Sequence, residues 1–350
     1  VCSSDLELTM NKLTKYGVTA LCGSLASIAS VNAGEMGISG GATATWTSNE
    51  GTVTGNPLGL ATNLTFSGSG ELDNGTAFTM SVTHDDKNAF SSSKLNLVTP
   101  SMGTIGIDMG AGGQGIDRLD DMMPTAWEET TGTGTGTGMQ TVAGVGGSGN
   151  IEWAIPTGFL PDGTSMHVAW TPTAGQAASN DKATGGDSGG IGSGYDIVAQ
   201  YSGFMDGLNV FAGYSTIEQA KNVGVNASGD RTQYAAGFTY AVGSVTLGYQ
   251  ETRDNLQQTS DGTASGYDNM AYGISFAVND DLSVSYGYHE STKDVFGGTN
   301  VETSSSSLQA AYTMGGASVK FAETSVDNAS YSTAAVKDVD GHTIALSLAF

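Results

Sequence analysis

The sequence predicts an all-β protein, a transmembrane antiparallel β-barrel of about sixteen strands. Three observations carry that prediction. Segments of about nine to eleven residues alternate apolar with small or polar side chains, the length a tilted strand needs to cross a hydrocarbon layer. Short turns and long polar connections alternate along the chain. The last such segment, Gly341 to Phe350, puts Ile344, Leu346, Leu348 and Phe350 on one face and Thr343, Ala345, Ser347 and Ala349 on the other. An aromatic terminus on a strand suits a barrel whose last strand closes onto its first at the lipid–water interface. A helical protein is opposed by 52 glycines, and no apolar run reaches the roughly eighteen residues a membrane helix needs.

The elements follow in order. Residues 1–9 read as a non-native leader. Met10 opens a secretory signal peptide over 10–33, with Lys12 and Lys15 as its basic start, an uncharged stretch from Tyr16 to Ala29, and Val31-Asn32-Ala33 as a small-x-small cleavage site. Both cysteines, Cys2 and Cys22, lie upstream of that site, so the barrel expected over 34–350 is free of disulfides. Its first strand is Met36 to Ser48, with Ile38, Ala42, Ala44 and Trp46 on one face. Seven hairpins follow. Gly59–Leu72 and Thr76–His84 flank Asp73-Asn74-Gly75, a tight-turn signal because glycine tolerates positive φ. Ser92–Thr99 and Gly103–Gly110 flank Pro100-Ser101-Met102, and Asn150–Ile155 pairs with Thr164–Thr171. Tyr195–Tyr201 joins Leu208–Ser215, and Thr232–Tyr240 joins Ser244–Thr252. Asp268–Val278 joins Asp281–Glu290 through Asn279-Asp280, and Ser304–Met314 joins Ala317–Glu323 through Gly315-Gly316. Gly341–Phe350 closes the set. A barrel this wide cannot be filled by side chains and leaves an aqueous channel.

Charge narrows the partners. Thirty-five acidic residues face 12 basic ones, a net charge of −23, which opposes nucleic-acid binding because phosphates need Lys and Arg. The longest connection, Ala111 to Gly149, holds Asp117, Asp120, Asp121, Glu128 and Glu129, with Arg118 as its one base. Connections of this length are uncommon unless they are functional or disordered. Met122, Met123, Pro124, Ala126 and Trp127 supply an apolar patch able to dock on the barrel wall. The alternating Thr-Gly tract from Thr131 to Gly138 is expected to have no core-forming capacity. Strand parity puts Lys94, Asn96, Asp108, Arg231 and Lys320 on the channel face.

The signal peptide, the run Leu95-Asn96-Leu97-Val98-Thr99-Pro100-Ser101-Met102-Gly103-Thr104-Ile105-Gly106, the acidic connection after it and Phe350 together resemble the general bacterial porins, particularly the alphaproteobacterial sixteen-stranded type. The resemblance spans 34–350, mostly as pattern. It implies passive diffusion of small hydrophilic solutes and ions across the outer membrane of a Gram-negative bacterium, a homotrimer in outer-membrane lipid, and a third extracellular loop folded inward to narrow the pore. Asp117, Arg118, Asp120, Asp121, Glu128 and Glu129 would line that constriction, and Phe350 would serve membrane assembly. In the family, loop carboxylates face a basic cluster across the pore. Here only ten Lys and Arg remain once Lys12 and Lys15 are set aside, so a mostly negative field and modest cation selectivity are expected.

Other chemistries lack their residues. His84, His167, His289 and His342 show no metal spacing, and no nucleophile elbow, phosphate loop or paired-carboxylate motif appears, so no enzyme is expected. The loop carboxylates are oxygen donors of the kind Ca²⁺ takes, but no segment has the full calcium-loop spacing, and no other cofactor is implied. Trp46, Trp153, Trp170, Tyr201, Tyr214, Tyr240, Tyr249, Tyr288 and Tyr312 fall on the apolar face near strand ends, the pattern of an interfacial girdle. A substrate-specific channel would need a file of lumen aromatics or an ordered charge ladder, and parity shows neither. An adhesin role of the long loops would be compatible with a pore.

Overall fold

Period-two alternation converts directly into a wall with two unlike faces, because successive side chains of a strand point to opposite sides. The computed structural model describes residues 34–50, 55–86, 91–175, 191–219 and 226–350, so the leader and signal peptide expected over 1–33 lie outside the described residues. Among the described residues there are sixteen strands: β1 Met36–Glu50, β2 Leu58–Glu71, β3 Ala77–Asp85, β4 Ser92–Thr99, β5 Gly103–Met109, β6 Asn150–Ala154, β7 Thr164–Thr171 and β8 Ile191–Tyr201. The rest are β9 Leu208–Gln219, β10 Arg231–Val242, β11 Val245–Asn255, β12 Ala264–Ala277, β13 Leu282–Val295, β14 Val301–Met314, β15 Ala317–Asp327 and β16 Val339–Ala349.

Each strand pairs antiparallel with its sequence neighbours, and β16 pairs with β1 to close the barrel. Closure leaves no sheet edge with unpaired backbone groups, the condition for a sheet to stand in hydrocarbon. Phe350 takes part just beyond β16: its N–H donates to the Gly40 carbonyl at 3.0 Å, and its own carbonyl accepts from Gly40 N at 3.2 Å. The Asn74-Gly75 turn shows why the hairpins reverse in so few residues. Gly75 sits at φ 79°, its N–H reaches the Leu72 carbonyl at 2.9 Å, and Asn74 Oδ1 accepts from Thr76 N at 3.0 Å.

Register keeps like with like. On the outer face Ile38 stands beside Phe66, Trp46 beside Ile344, Tyr272 beside Tyr288 and Ile274 beside Tyr286. On the inner face Thr43 pairs with Ser347 at 2.9 Å, Thr47 with Thr343 at 3.0 Å and Thr65 with Thr83 at 2.9 Å.

Several strands run past the boundaries that apolar alternation sets. β11 continues to Asn255, β13 to Val295 and β15 to Asp327. The outward positions turn polar at the last residues of the alternating segments, at Glu251 on β11, Asp268 on β12, Glu290 on β13 and Glu323 on β15, and stay polar in the extensions at Arg253 and Asp294. Arg253 there ion-pairs with Asp268 and, at 3.2 Å, with Asp294. The hydrogen-bond ladder does not depend on side-chain polarity, so it carries on beyond the apolar band. An alternation test ends where the hydrocarbon ends.

Candidate functional site

Between β5 and β6 the chain runs from Gly110 to Gly149 with one short 3-10 helix, Gly115–Leu119. Ile116, Leu119, Met123 and Val142 of this segment form one buried apolar cluster with Val198 of β8, Phe211 of β9, Ala235 of β10 and Ala271 of β12. Val145 joins a second with Ala169 of β7, Ala174 and Ile217 of β9. Pro124 packs where Gly248 and Gly273 leave no side chain; a Cβ at either position would run into it.

Polar side chains of the wall satisfy the segment's backbone. Asp196 Oδ2, fully buried on β8, accepts from Ile116 N at 2.9 Å and from Val145 N at 3.1 Å, and so holds both arms. Glu152 of β6 accepts from Gly115 N at 2.7 Å, pairs with His167 of β7 at 3.1 Å and forms an ion pair with Arg118. Gln233 of β10 accepts from Ala143 N and Gly144 N, at 3.2 and 2.6 Å. Gln250 of β11 donates to the Leu119 carbonyl at 2.6 Å, and Ser285 of β13 accepts from Ala126 N at 2.8 Å. Gln309 of β14 accepts from Trp127 N and Glu128 N and donates to the Glu128 carbonyl at 2.7 Å. Each link replaces a hydrogen bond to water that the buried backbone group has lost.

The Thr-Gly tract departs from expectation. Thr133, Thr135 and Thr137 are buried, and Thr133 Oγ1 accepts from Thr324 of β15 at 2.9 Å. Positive φ at Gly134, Gly136 and Gly138 lets the backbone turn all three threonines to one side. The Thr137 carbonyl then accepts from Ser330 N at 2.8 Å, and Gln140 N donates to Tyr331 Oη at 2.8 Å, which ties the tract to the connection before β16.

The charged residues fall into two groups. Lys94 Nζ lies 3.4 Å from Asp108 Oδ2, and the buried Asp108 also accepts from Ala111 N at 2.7 Å. Arg231 forms a two-point pair with Asp254, at 2.9 and 2.5 Å. Arg118 meets Glu152 of the wall and not the carboxylates beside it in sequence. Asn96 Nδ2 donates to Thr79 Oγ1 at 3.4 Å. Lys320 Nζ stands 5.8 Å from the Trp127 ring centroid and faces Glu128. Three of these four cations are thus matched by a mostly buried wall carboxylate.

The second group is the segment's own acids. Asp121 and Glu128 are exposed, while Asp117, Asp120 and Glu129 are partly covered. Burial raises the pKa of Asp117 despite the Gly113 N–H it accepts at 2.6 Å; Glu128, exposed as a residue, is raised by the partial desolvation of its carboxyl and by Asp121, despite Lys320. Burial pushes Asp120 up to about 6 and Glu129 to about 8, with neighbouring carboxylates adding to both. Among the described residues no three His, Cys, Asp or Glu side chains are placed together to hold a metal ion.

Asp196, Glu152, Gln233, Gln309 and Phe211 escaped sequence reasoning. A signal was present at two points: Ile197-Val198-Ala199 and Val210-Phe211-Ala212 are apolar on both faces, which a wall facing only water inside would not be. Beside β1–β3, β15 and β16 the barrel keeps an open space of about 910 Å³, lined by Ser39, Thr43, Thr65, Ser318, Lys320 and Ser347 among others.

With this geometry in place, the comparisons fall into line. A family model described as Gram-negative porin matches residues 17–347. No curated protein matches the sequence. Among solved structures, the in-vitro folded, trimer form of the outer membrane protein OmpT of Vibrio cholerae superposes with a TM-score of 0.65 at 13% identity, covering 91% of this chain and 99% of its own. OmpF of Salmonella typhi in complex with daunomycin gives 0.64 at 16%, covering 90% and 97%. An anion-selective porin from Comamonas acidovorans gives 0.64 at 13%, covering 91% and 100%. At such identities the likeness speaks for the fold alone.

Proposed function

This chain belongs to the Gram-negative porin family, and from that premise we propose that it is a water-filled outer-membrane channel through which small hydrophilic solutes and ions diffuse, with modest cation preference. In this reading residues 110–149 are the inward-folded third extracellular loop, and Asp117, Asp120, Asp121, Glu128 and Glu129 line the narrowed passage. The observation that carries the selectivity is the matching of Lys94, Arg118 and Arg231 by Asp108, Glu152 and Asp254. Those cations are held by wall carboxylates, while among the described residues the loop acids are offset by Lys320 at Glu128 and by Arg118 at Asp117. A passage bordered by carboxylates favours cations. The anion-selective relative shares the fold, so selectivity rests on such side chains and not on the barrel.

Reversal potentials across planar bilayers in a KCl gradient test the reading. A cation-positive potential is expected, and clear anion preference would overturn it. Deleting residues 112–147 tests the loop: conductance should rise, and an unchanged value would remove its role as a constriction.

A homotrimer in outer-membrane lipid completes the proposal, supported by the trimer form of one structural relative. The face formed by β1–β5 presents Ile38, Leu60, Phe66 and Met80 outward without a single tyrosine, and is the face we assign to contact between copies. Export through residues 10–33 and an assembly role for Phe350 belong to the same reading.

A further inference from the structure

The loop and the wall enclose one small chamber that passive diffusion does not account for. Asp120, Glu129 and Thr141 line it from the loop, Gln250 and Thr252 from β11, Asn269 from β12 and His289 from β13. Its volume is about 10 Å³, enough for one water molecule. Among the described residues neither ring nitrogen of His289 has a hydrogen-bond partner, nor has Asn269 Oδ1, and both residues are more than nine-tenths buried. Unsatisfied buried polar groups are costly; single atoms such as Gln233 Nε2 and Ser305 Oγ are also left unpartnered in the wall, but His289 is the residue with both ring nitrogens so placed among the described residues.

The groups facing the chamber do not offset one another's charge. On the loop's near arm stand Asp120 and Glu129, with Asp117, Asp121 and Glu128 beside them. Its far arm gives the Thr141 hydroxyl, which hydrogen-bonds Asp120. The three strands add the neutral Gln250, Thr252 and Asn269, and His289. Tyr272 and Tyr288 border the adjoining space. Among the described residues no Lys or Arg lines it, and Arg118 is held by Glu152. Glu129 Oε1 is engaged by Met123 N at 2.8 Å, which ties this carboxyl to the seat of the loop.

We propose that Glu129, Asp120 and His289 form a proton-operated latch, in which a protonated loop carboxyl is joined to the imidazole through one water in the chamber, and loss of that proton loosens residues 117–130 from β11–β13. The step is a plain deprotonation: the O–H bond of the Glu129 carboxyl breaks, the proton passes to solvent, and the carboxylate faces Asp120 and Asp121 without a cation. The sign follows from linkage. A seated Glu129 holds its proton up to about pH 8, above the ordinary carboxyl range of a released loop. The seated state therefore binds more protons and is favoured at low pH, and it weakens as pH rises from that range toward 8.

The latch rests on the reading of 110–149 as the constriction, and single-channel recording from pH 5 to 9 at constant salt separates the two. The ratio of wide to narrow conductance levels should climb by up to about tenfold per pH unit and level off above about pH 8. Glu129→Gln, which keeps a neutral donor, should hold the narrow level throughout. A cross-link supplies a control that does not depend on that variant folding. A Cβ built on Gly287 lies 3.3 Å from Thr130 Cγ2, so Thr130→Cys with Gly287→Cys can bridge loop to wall. Oxidised, it should be pH-flat in the narrow level, and reduction should restore the response. A wild-type channel without pH response, or a Glu129→Gln or oxidised channel that still titrates, would overturn the latch. If deleting 112–147 widens the pore while the latch fails, the constriction stands alone; if the deletion changes nothing, both fall.

Discussion

The two sides of the barrel wall differ on both of their faces. From β8 to β14 the outer surface carries tyrosines, among them Tyr195, Tyr214 and Tyr234 in a ladder with centroids 6.4 and 5.2 Å apart, and Tyr272 stacked on Tyr288 at 5.1 Å. The inner surface of those strands is covered by Ile116, Leu119, Met123, Pro124 and the backbone of the long loop. From β1 to β5 no tyrosine occurs at all, since none stands between Tyr16 and Tyr195. There the hydroxyls of Thr43, Ser347 and Thr65 border the open space, while the loop reaches the Thr47–Thr343 pair at Gly134. One side carries tyrosines on its outer face and packs the segment after β5 against the opposite face; the second side is apolar and free of tyrosine on its outer face. A closed sheet makes this division possible, because each strand fixes the character of both faces independently.

The strongest way to break the contrast is to truncate the seat. Leu119→Ala, in the buried cluster with Phe211 and Val198, should cost the seated loop about 2–5 kcal/mol. Higher conductance and protease cleavage within 111–149 should follow, with the barrel's own heat resistance unchanged, whereas Leu60→Ala on the outer face of β2 should alter none of these. Intact conductance in Leu119→Ala would mean that the cluster does not hold the loop.

Next in size is the exchange of a charge between the two outer faces. Leu60→Arg and Ile274→Arg each introduce a cation on the outer wall, at about 2–4 kcal/mol in mid-bilayer and less toward the interfaces. Native gels should show monomers for Leu60→Arg and intact trimers for Ile274→Arg. Equal behaviour of the two would refute the assignment of the tyrosine-free face.

The smallest effect concerns charge within the channel. Asp117, Asp120, Glu128 and Glu129 all keep their protons to higher pH than free carboxyls. Their negative charge therefore develops as pH rises, and cation preference should grow between about pH 5 and 8. Reversal potentials across that range measure it; a preference that shrinks with pH would contradict the assignment of these acids to the passage.

Much of the wall was legible because its determinants are local. The sixteen strands follow from period-two parity, and the register sets Lys94 beside Asp108, Asn96 beside Gly106, Arg231 beside Ile217 and Lys320 beside Ala345. Strand ends were less legible at Asn255 and Val295, where backbone pairing outlasts the apolar band. Arg118 was the hardest residue to place. Sequence neighbours set it against Asp117 and Asp120, yet its partner is Glu152, thirty-four positions away.

The sequence by itself determined the barrel: strand count, the two faces and closure, because alternation and turn chemistry act within a few residues. Only the tertiary structure decided where the loop lies and which charges remain uncompensated. Asp196 gathers the N–H groups of Ile116 and Val145 from 80 and 51 positions away. Such pairings depend on the curvature that brings β8 and the segment after β5 together. The burial that raises Glu129 and Asp120 comes into being only once that meeting has occurred.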